Sequence, residues 1–220
     1  MDEARRRLAA RLKLHVLTDR SSSRGRDLLA VARAALAGGA TVIQLRDKTA
    51  CTSLLLEEGR ALRALTRAYN ALLIVNDRVD VALALDADGV HLGQDDLPAH
   101  LARQLLGPER ILGLSAGNFA EANAALAAGA DYLGIGPIFG TQSKADAGAP
   151  IGTQLLSELA ARSILPLVAI GGITAENATV ALQAGASGIA VISAVTSADD
   201  CMLATRRLAD LYSPAKEPDA

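Results

Sequence analysis

The sequence predicts a single-domain α/β protein, a closed (β/α)8 TIM barrel, and three observations point there. Eight short runs rich in Val, Ile and Leu are spread along 220 residues. Stretches rich in Ala and Leu, with apolar positions suited to helices, lie between them. One phrase also recurs: Ala35-Leu36-Ala37-Gly38-Gly39-Ala40, Ala125-Leu126-Ala127-Ala128-Gly129-Ala130 and Ala181-Leu182-Gln183-Ala184-Gly185-Ala186. Each copy closes a helical stretch with a glycine suited to a left-handed cap and leads at once into a β-type run.

In chain order the predicted strands are Leu14 to Leu17, Thr41 to Leu45, Leu72 to Val75, Gly89 to Leu92, Ile111 to Leu114, Tyr132 to Ile135, Leu167 to Ile170 and Gly188 to Ile192. The third and fourth enclose Val79 to Leu85, whose pattern suits a short helix, and Ala82-Leu83-Ala84-Leu85-Asp86-Ala87-Asp88-Gly89 is a looser relative of the recurring phrase. Eight such units in this length fit the compact end of the barrel fold, which runs from roughly 200 residues upward. An open doubly wound sheet is the alternative reading of the same alternation. No linker splits the chain, so residues 1–212 form one domain. The segment 213–220, with Pro214, Lys216, Glu217 and Pro218, reads as a flexible tail.

Composition narrows the function. Half the residues are hydrophobic, yet there is no Trp and only two Phe and three Tyr, so the core is aliphatic. A formal charge of −2 supplies no basic footprint for nucleic acid. The opening Met1-Asp2-Glu3-Ala4-Arg5-Arg6-Arg7 and the short apolar part after it suit neither a signal peptide nor a membrane span. Two distant cysteines, Cys51 and Cys201, read as reduced thiols of a cytoplasmic protein. A homodimer is compatible with the sequence.

A barrel gathers the residues just past its strands at one mouth, where such folds place their chemistry. Here they are Gln44, Arg46 and Lys48; Asn76 and Asp77; Gln94 and Asp96; Ser115; Thr141, Ser143 and Lys144; Gly171 and Gly172; Ile192 and Ser193. Asp77 and Asp96 each follow a short apolar run, so both acids emerge at the same end of neighbouring parallel strands. Taken singly, one is a loop carboxylate opposing Arg78 and the other a helix cap before Leu97-Pro98. Together they suit Mg²⁺, which is held by one or two carboxylates with water and phosphate oxygens in its remaining positions. Arg46 suits bidentate contact with phosphate, and Lys48 and Lys144 add point charges. The seventh and eighth loops, through Gly171-Gly172 and Ile192-Ser193, offer the usual barrel phosphate position. The stretch from Gly136 to Pro150 reads as a lid carrying Lys144. No pair among His15, His91 and His100 has metal-ligand spacing, so packing and surface roles are expected for them.

These stretches resemble the thiamine-phosphate synthase family from Leu14 to about Leu211. The matching segments are Gln44-Leu45-Arg46-Asp47-Lys48, Val75-Asn76-Asp77-Arg78-Val79-Asp80, Gly89-Val90-His91-Leu92-Gly93-Gln94-Asp95-Asp96, Tyr132-Leu133-Gly134-Ile135-Gly136-Pro137-Ile138-Phe139, Thr141-Gln142-Ser143-Lys144 and Ala169-Ile170-Gly171-Gly172-Ile173. The resemblance implies a transferase that joins 4-amino-5-hydroxymethyl-2-methylpyrimidine diphosphate to thiazole ethyl phosphate, with loss of pyrophosphate and a dissociative, carbocation-like path. It implies that Gln44, Leu45, Arg46, Asp47, Lys48, Asn76, Ser115 and Lys144 bind the pyrimidine diphosphate, with Arg46, Lys144 and Ser115 in the catalytic set. It places Mg²⁺ on Asp77 and Asp96, and the thiazole phosphate on Thr141, Gln142, Ser143, Gly172, Ile192 and Ser193.

Three positions depart from the family pattern. Gly140 stands where Pro is usual, Gly117-Asn118 replaces a common His-Thr, and His15 occupies a position often filled by Tyr. None removes a metal ligand or a phosphate cation. The rival readings are a thiazole tautomerase on the same barrel and a non-catalytic phosphate-ligand barrel. Retention of Arg46, Lys48, Asn76, Asp77, Asp96 and Lys144 opposes both.

Overall fold

The computed structural model describes residues 1–141, 143 and 148–213. Eight parallel strands close in sequence order: β1 (Leu14–Leu17), β2 (Val42–Leu45), β3 (Leu72–Asn76), β4 (Gly89–Leu92), β5 (Ile111–Ala116), β6 (Tyr132–Ile135), β7 (Leu167–Ile170) and β8 (Gly188–Val191). The register of β1 on β8, with Leu14 opposite Ile189 and Val16 opposite Val191, completes the ring and excludes the open sheet. Around it lie α2 (Leu28–Ala37), α3 (Thr52–Ala68), α4 (Val79–Ala84), α5 (Ala99–Leu106), α6 (Phe119–Ala127), α7 (Gly152–Arg162), α8 (Ala178–Gln183), α9 (Ser193–Thr196) and α10 (Cys201–Ala209).

The side-chain period of two sorts the strand residues into two shells. Leu14, Val16, Ile43, Leu45, Leu73 and Val75 meet the apolar faces of the helices. Leu17, Val42, Leu72, Ile74, Tyr132 and Val168 fill the barrel interior. An unanticipated helix, α1 (Glu3–Arg11), is capped by Asp2, which accepts the N–H of Arg5 at 2.9 Å. It sends Leu8 onto the interior cluster beside the buried Leu12, so it plugs the barrel floor.

The recurring phrase forms the expected joint. Gly39, Gly129 and Gly185 are left-handed, with φ of 106°, 84° and 99°. The next N–H, of Ala40, Ala130 and Ala186, donates back to Ala35, Ala125 and Ala181. Asn70 and Asp86, the side chains that best tolerate this conformation, replace glycine in two further joints with φ of 54° and 48°. Two residues past each of two such caps an acid ties helix to sheet. Asp88 accepts the N–H of Leu73 (2.7 Å) and pairs with Arg63 (2.7 Å); Asp131 accepts that of Leu112 (2.8 Å) and pairs with Arg103 (2.6 Å).

The boundaries differ from expectation at a few places. Thr41 lies before β2, and its hydroxyl accepts the N–H of Leu14 at 3.0 Å. β3 and β5 run on to Asn76 and Ala116, while β8 stops at Val191 because Ile192 turns into α9. Of the expected tail, 214–220 lie outside the described residues. Among the described residues no helix is long and apolar enough to cross a membrane, and both cysteines are free.

Candidate active site

At the C-terminal ends of the strands opens a cavity of about 950 Å³. Arg46 and Lys48 after β2, Asn76 and Asp77 at β3, Gln94 and Asp96 after β4, and Ser115 on β5 line one side. Thr141, Ser143, Gly171, Gly172, Ile192 and Ser193 line the other. Three of the expected contacts are directed elsewhere. Gln44, 4% exposed, faces a smaller cavity inside the barrel, because two-residue alternation from Arg46 keeps it inward but a layer lower. Leu45 points outward into the helix-packing shell. The Asp47 carboxylate accepts the N–H groups of Thr49 (2.9 Å) and Ala50 (3.0 Å) and pairs with Arg20 (3.0 Å), so it builds the loop and does not line the mouth. Gln142 and Lys144, and with them the centre of the expected lid, lie outside the described residues.

The two acids converge. Asp77 is left-handed at φ 64°, rare for a residue with a side chain, and its N–H is fixed on the His91 carbonyl at 2.9 Å. Its carboxyl hydrogen-bonds Asp96, whose Oδ2 also accepts the Gly93 N–H at 2.6 Å. Burial first, then the bond to Asp96 and its negative charge, push Asp77 up to about 6, against the pull of Lys48 and Arg46. Two crowded hard-oxygen donors whose mutual repulsion the nearby cations offset only in part fit a divalent cation of the Mg²⁺ type. They also distinguish the two neighbouring acids: Asp96 contacts Asp77, while Asp95 is exposed at the rim.

Arg46 is 7% exposed and is held at two points by residues that strand-end reasoning should have included, those just past β1. The Thr18 hydroxyl donates to the Arg46 carbonyl (3.0 Å) and accepts its N–H (2.8 Å). Arg46 Nη1 donates to Asp19 Oδ2 at 2.8 Å. Across the mouth, the Ser143 hydroxyl donates to that of Ser193 at 3.0 Å, joining the sixth and eighth loops. Gly171 and Gly172, at φ 95° and 64°, let the seventh loop pack on the sixth, and a Cβ at Gly172 would lie 2.4 Å from the Gly140 carbonyl oxygen.

The floor holds a histidine that sequence reasoning assigned to packing. His91 contacts Ser115 Oγ through Nε2 and the Tyr132 hydroxyl through Nδ1, both at 3.0 Å, and lines the mouth. Beneath it lies a cavity of about 20 Å³, room for roughly one water, bordered by His15, Gln44 and Tyr132. Of the family departures, Asn118 caps α6 by accepting the Glu121 N–H (3.0 Å), and Glu121 in return accepts the Gly117 N–H (2.7 Å).

This fold and this mouth define a (β/α)8-barrel enzyme for small phosphorylated molecules. Residues 14–195 match the thiamine monophosphate synthase family. The thiamine-phosphate synthase of Chloroflexus aurantiacus is 55% identical over 205 residues, covering 93% of this chain and 94% of that one. That of Moorella thermoacetica is 53% identical over 203 residues, covering 92% and 97%. A solved structure, thiamine phosphate pyrophosphorylase from Pyrococcus furiosus, superposes with a TM-score of 0.85 at 46% identity, covering 93% of this chain and 96% of the other. The chain therefore belongs to the thiamine monophosphate synthase family, and its activity is the transferase step that makes thiamine phosphate.

Proposed function

We propose that the mouth condenses 4-amino-5-hydroxymethyl-2-methylpyrimidine diphosphate with thiazole ethyl phosphate by a Mg²⁺-dependent, dissociative path. The observation that carries this is the contact of Asp77 with Asp96 in the same cavity wall as Arg46 and Lys48. Asp77 and Asp96 would hold Mg²⁺, which when bound supplies positive charge against the pyrophosphate leaving group. Arg46 and Lys48 bind the diphosphate and offset the charge that grows on it as the carbon–oxygen bond breaks. Thr141, Ser143, Gly172 and Ser193 hold the thiazole phosphate on the opposite wall. The Ser115 hydroxyl, seated on His91, orients the pyrimidine between them. Held so, the thiazole nitrogen lies ready to attack the pyrimidine methylene, and no protein nucleophile takes part. Free thiols at Cys51 and Cys201 support a cytoplasmic location.

The test is purified protein with both substrates, with and without Mg²⁺. Thiamine phosphate and pyrophosphate are expected in equal amounts only when Mg²⁺ is present. Undiminished turnover in a chelator removes the metal role, and interconversion of thiazole tautomers without pyrophosphate release overturns the reading.

A further inference from the structure

Asp19 follows β1 and has no assigned part in the reaction. It is 7% exposed, as is Arg46, so their ion pair is buried. Its carboxylate is itself fixed: Oδ1 accepts the Ser21 hydroxyl and the Ser22 N–H, the latter at 2.9 Å. The Arg46 guanidinium is planar, and its donors form a rigid fork. With Nη1 on Asp19 and the backbone clamped by Thr18, the remaining edge has one orientation. Nε on that edge is buried with no hydrogen-bond partner among the described residues. A buried, unsatisfied cationic N–H is costly. That cost is borne by a side chain that lines the mouth and whose plane Asp19 fixes.

We propose that Asp19 is a positioning residue for Arg46: it occupies Nη1 and so fixes the plane in which the guanidinium meets the diphosphate, an inference that rests on the reaction proposed above. Two consequences separate this from mere support of the loop. Asp19 offsets part of the Arg46 charge, so its removal strengthens attraction for any phosphate while it releases the guanidinium from its fixed plane. Orientation matters most as the pyrophosphate departs, so the loss falls on kcat and not on KM. The loop itself has anchors independent of the carboxylate. Arg26 donates to the carbonyls of Thr196 and Ala198, both at 2.6 Å, and the Ser197 hydroxyl donates to the Ser22 carbonyl at 3.0 Å.

The experiment is a double-mutant cycle on the full chain, with thiamine phosphate formation followed by steady-state and single-turnover kinetics. Asp19→Ala is expected to lower kcat by about tenfold or more, short of the roughly 10²–10³-fold that follows outright loss of a charge-stabilising donor because Arg46 is still present, with KM for the pyrimidine diphosphate unchanged or lower. Asp19→Asn, which keeps an oxygen for Nη1, recovers most of that rate and also serves if the alanine variant does not fold. In an Arg46→Gln background, Asp19→Ala has no further effect. An equal loss of kcat in both backgrounds, or a rise in KM for both substrates, assigns Asp19 to loop structure and overturns the proposal, as does unchanged kcat. Wild-type protein that makes no thiamine phosphate fails the reaction reading instead, so the two failures are distinct.

Discussion

Acidification should draw a destabilising contribution from one buried residue, His15. It lies on β1 inside the barrel, 1% exposed, with its ring 5.7 Å from that of Tyr132 and its Nε2 buried without a hydrogen-bond partner among the described residues. Burial holds its pKa down to about 3 from 6.5, opposed only in part by a hydrogen bond to the Leu12 backbone. The folded protein thus keeps the ring neutral where the unfolded chain protonates it. Between about 3 and 6.5 the unfolded state binds the extra proton, so stability rises with pH across that window. The contribution is fully present above 6.5 and drains away as pH falls toward 3.

From pH 7 to pH 5 the fall crosses roughly 1.5 pH units of the window at about 1.4 kcal/mol each, a loss of about 2 kcal/mol. Other groups titrate over the same range. Asp77, raised to about 6, acts with the opposite sign. The readout is therefore a difference: urea unfolding of wild type and His15→Asn at both pH values, with the change in the variant subtracted from that in wild type. About 2 kcal/mol should remain. If His15→Asn loses as much stability on acidification as wild type, His15 is not the buried neutral group argued here.

The other predictions concern the mouth. Asp77→Asn or Asp96→Asn, which keep an amide oxygen and a side chain that tolerates the left-handed turn at Asp77, should abolish Mg²⁺-dependent turnover while circular dichroism stays that of wild type; near-normal rates in either variant would remove that acid from the metal site. Gly172→Ala places a Cβ 2.4 Å from the Gly140 carbonyl oxygen and 2.8 Å from Phe139 Cβ at φ 64°. It should cost about 1–3 kcal/mol and raise KM for the thiazole phosphate, while KM for the diphosphate stays within about twofold. A thermal shift near zero with both KM values unaltered would show that the seventh loop yields without consequence.

The barrel could be read from the sequence because its signals are local. Each strand is a short apolar run, and each joint marked by Gly-Ala closes by bonds within six residues, as from Ala40 back to Ala35. The same locality explains Asn70 and Asp86, which take the place of the cap glycine, so that the joint at Asp86 shows only as a looser relative of the phrase. Most of the polar residues at strand ends are legible for the same reason, since a strand end shifted by one or two residues, as at β3 and β5, still leaves Asn76 and Ser115 at the mouth. Asp19 is the exception: it stands two residues beyond Leu17, within the span that Arg46 to Lys48 occupy after Leu45, yet the sequence reading takes nothing from the end of β1. Leu45 and Asp47 were grouped with Arg46 because a motif is contiguous along the chain, whereas pleating sends adjacent residues to opposite faces.

What local pattern could not supply is the pairing of distant groups, and the site depends on it. His91 looked like a packing residue because its partners, Ser115 and Tyr132, lie 24 and 41 residues on. The Asp77–Asp96 contact needs both the register of β3 on β4 and a backbone turned left-handed at Asp77. Asn and Asp adopt that conformation more readily than most residues, yet it still stores strain. The bond from the Asp77 N–H to the His91 carbonyl shows what holds it: the neighbouring strand fixes the turn, and the turn brings one carboxylate against the other. Spacing along the chain says that both acids reach the mouth, and only the ladder between β3 and β4 says that they meet.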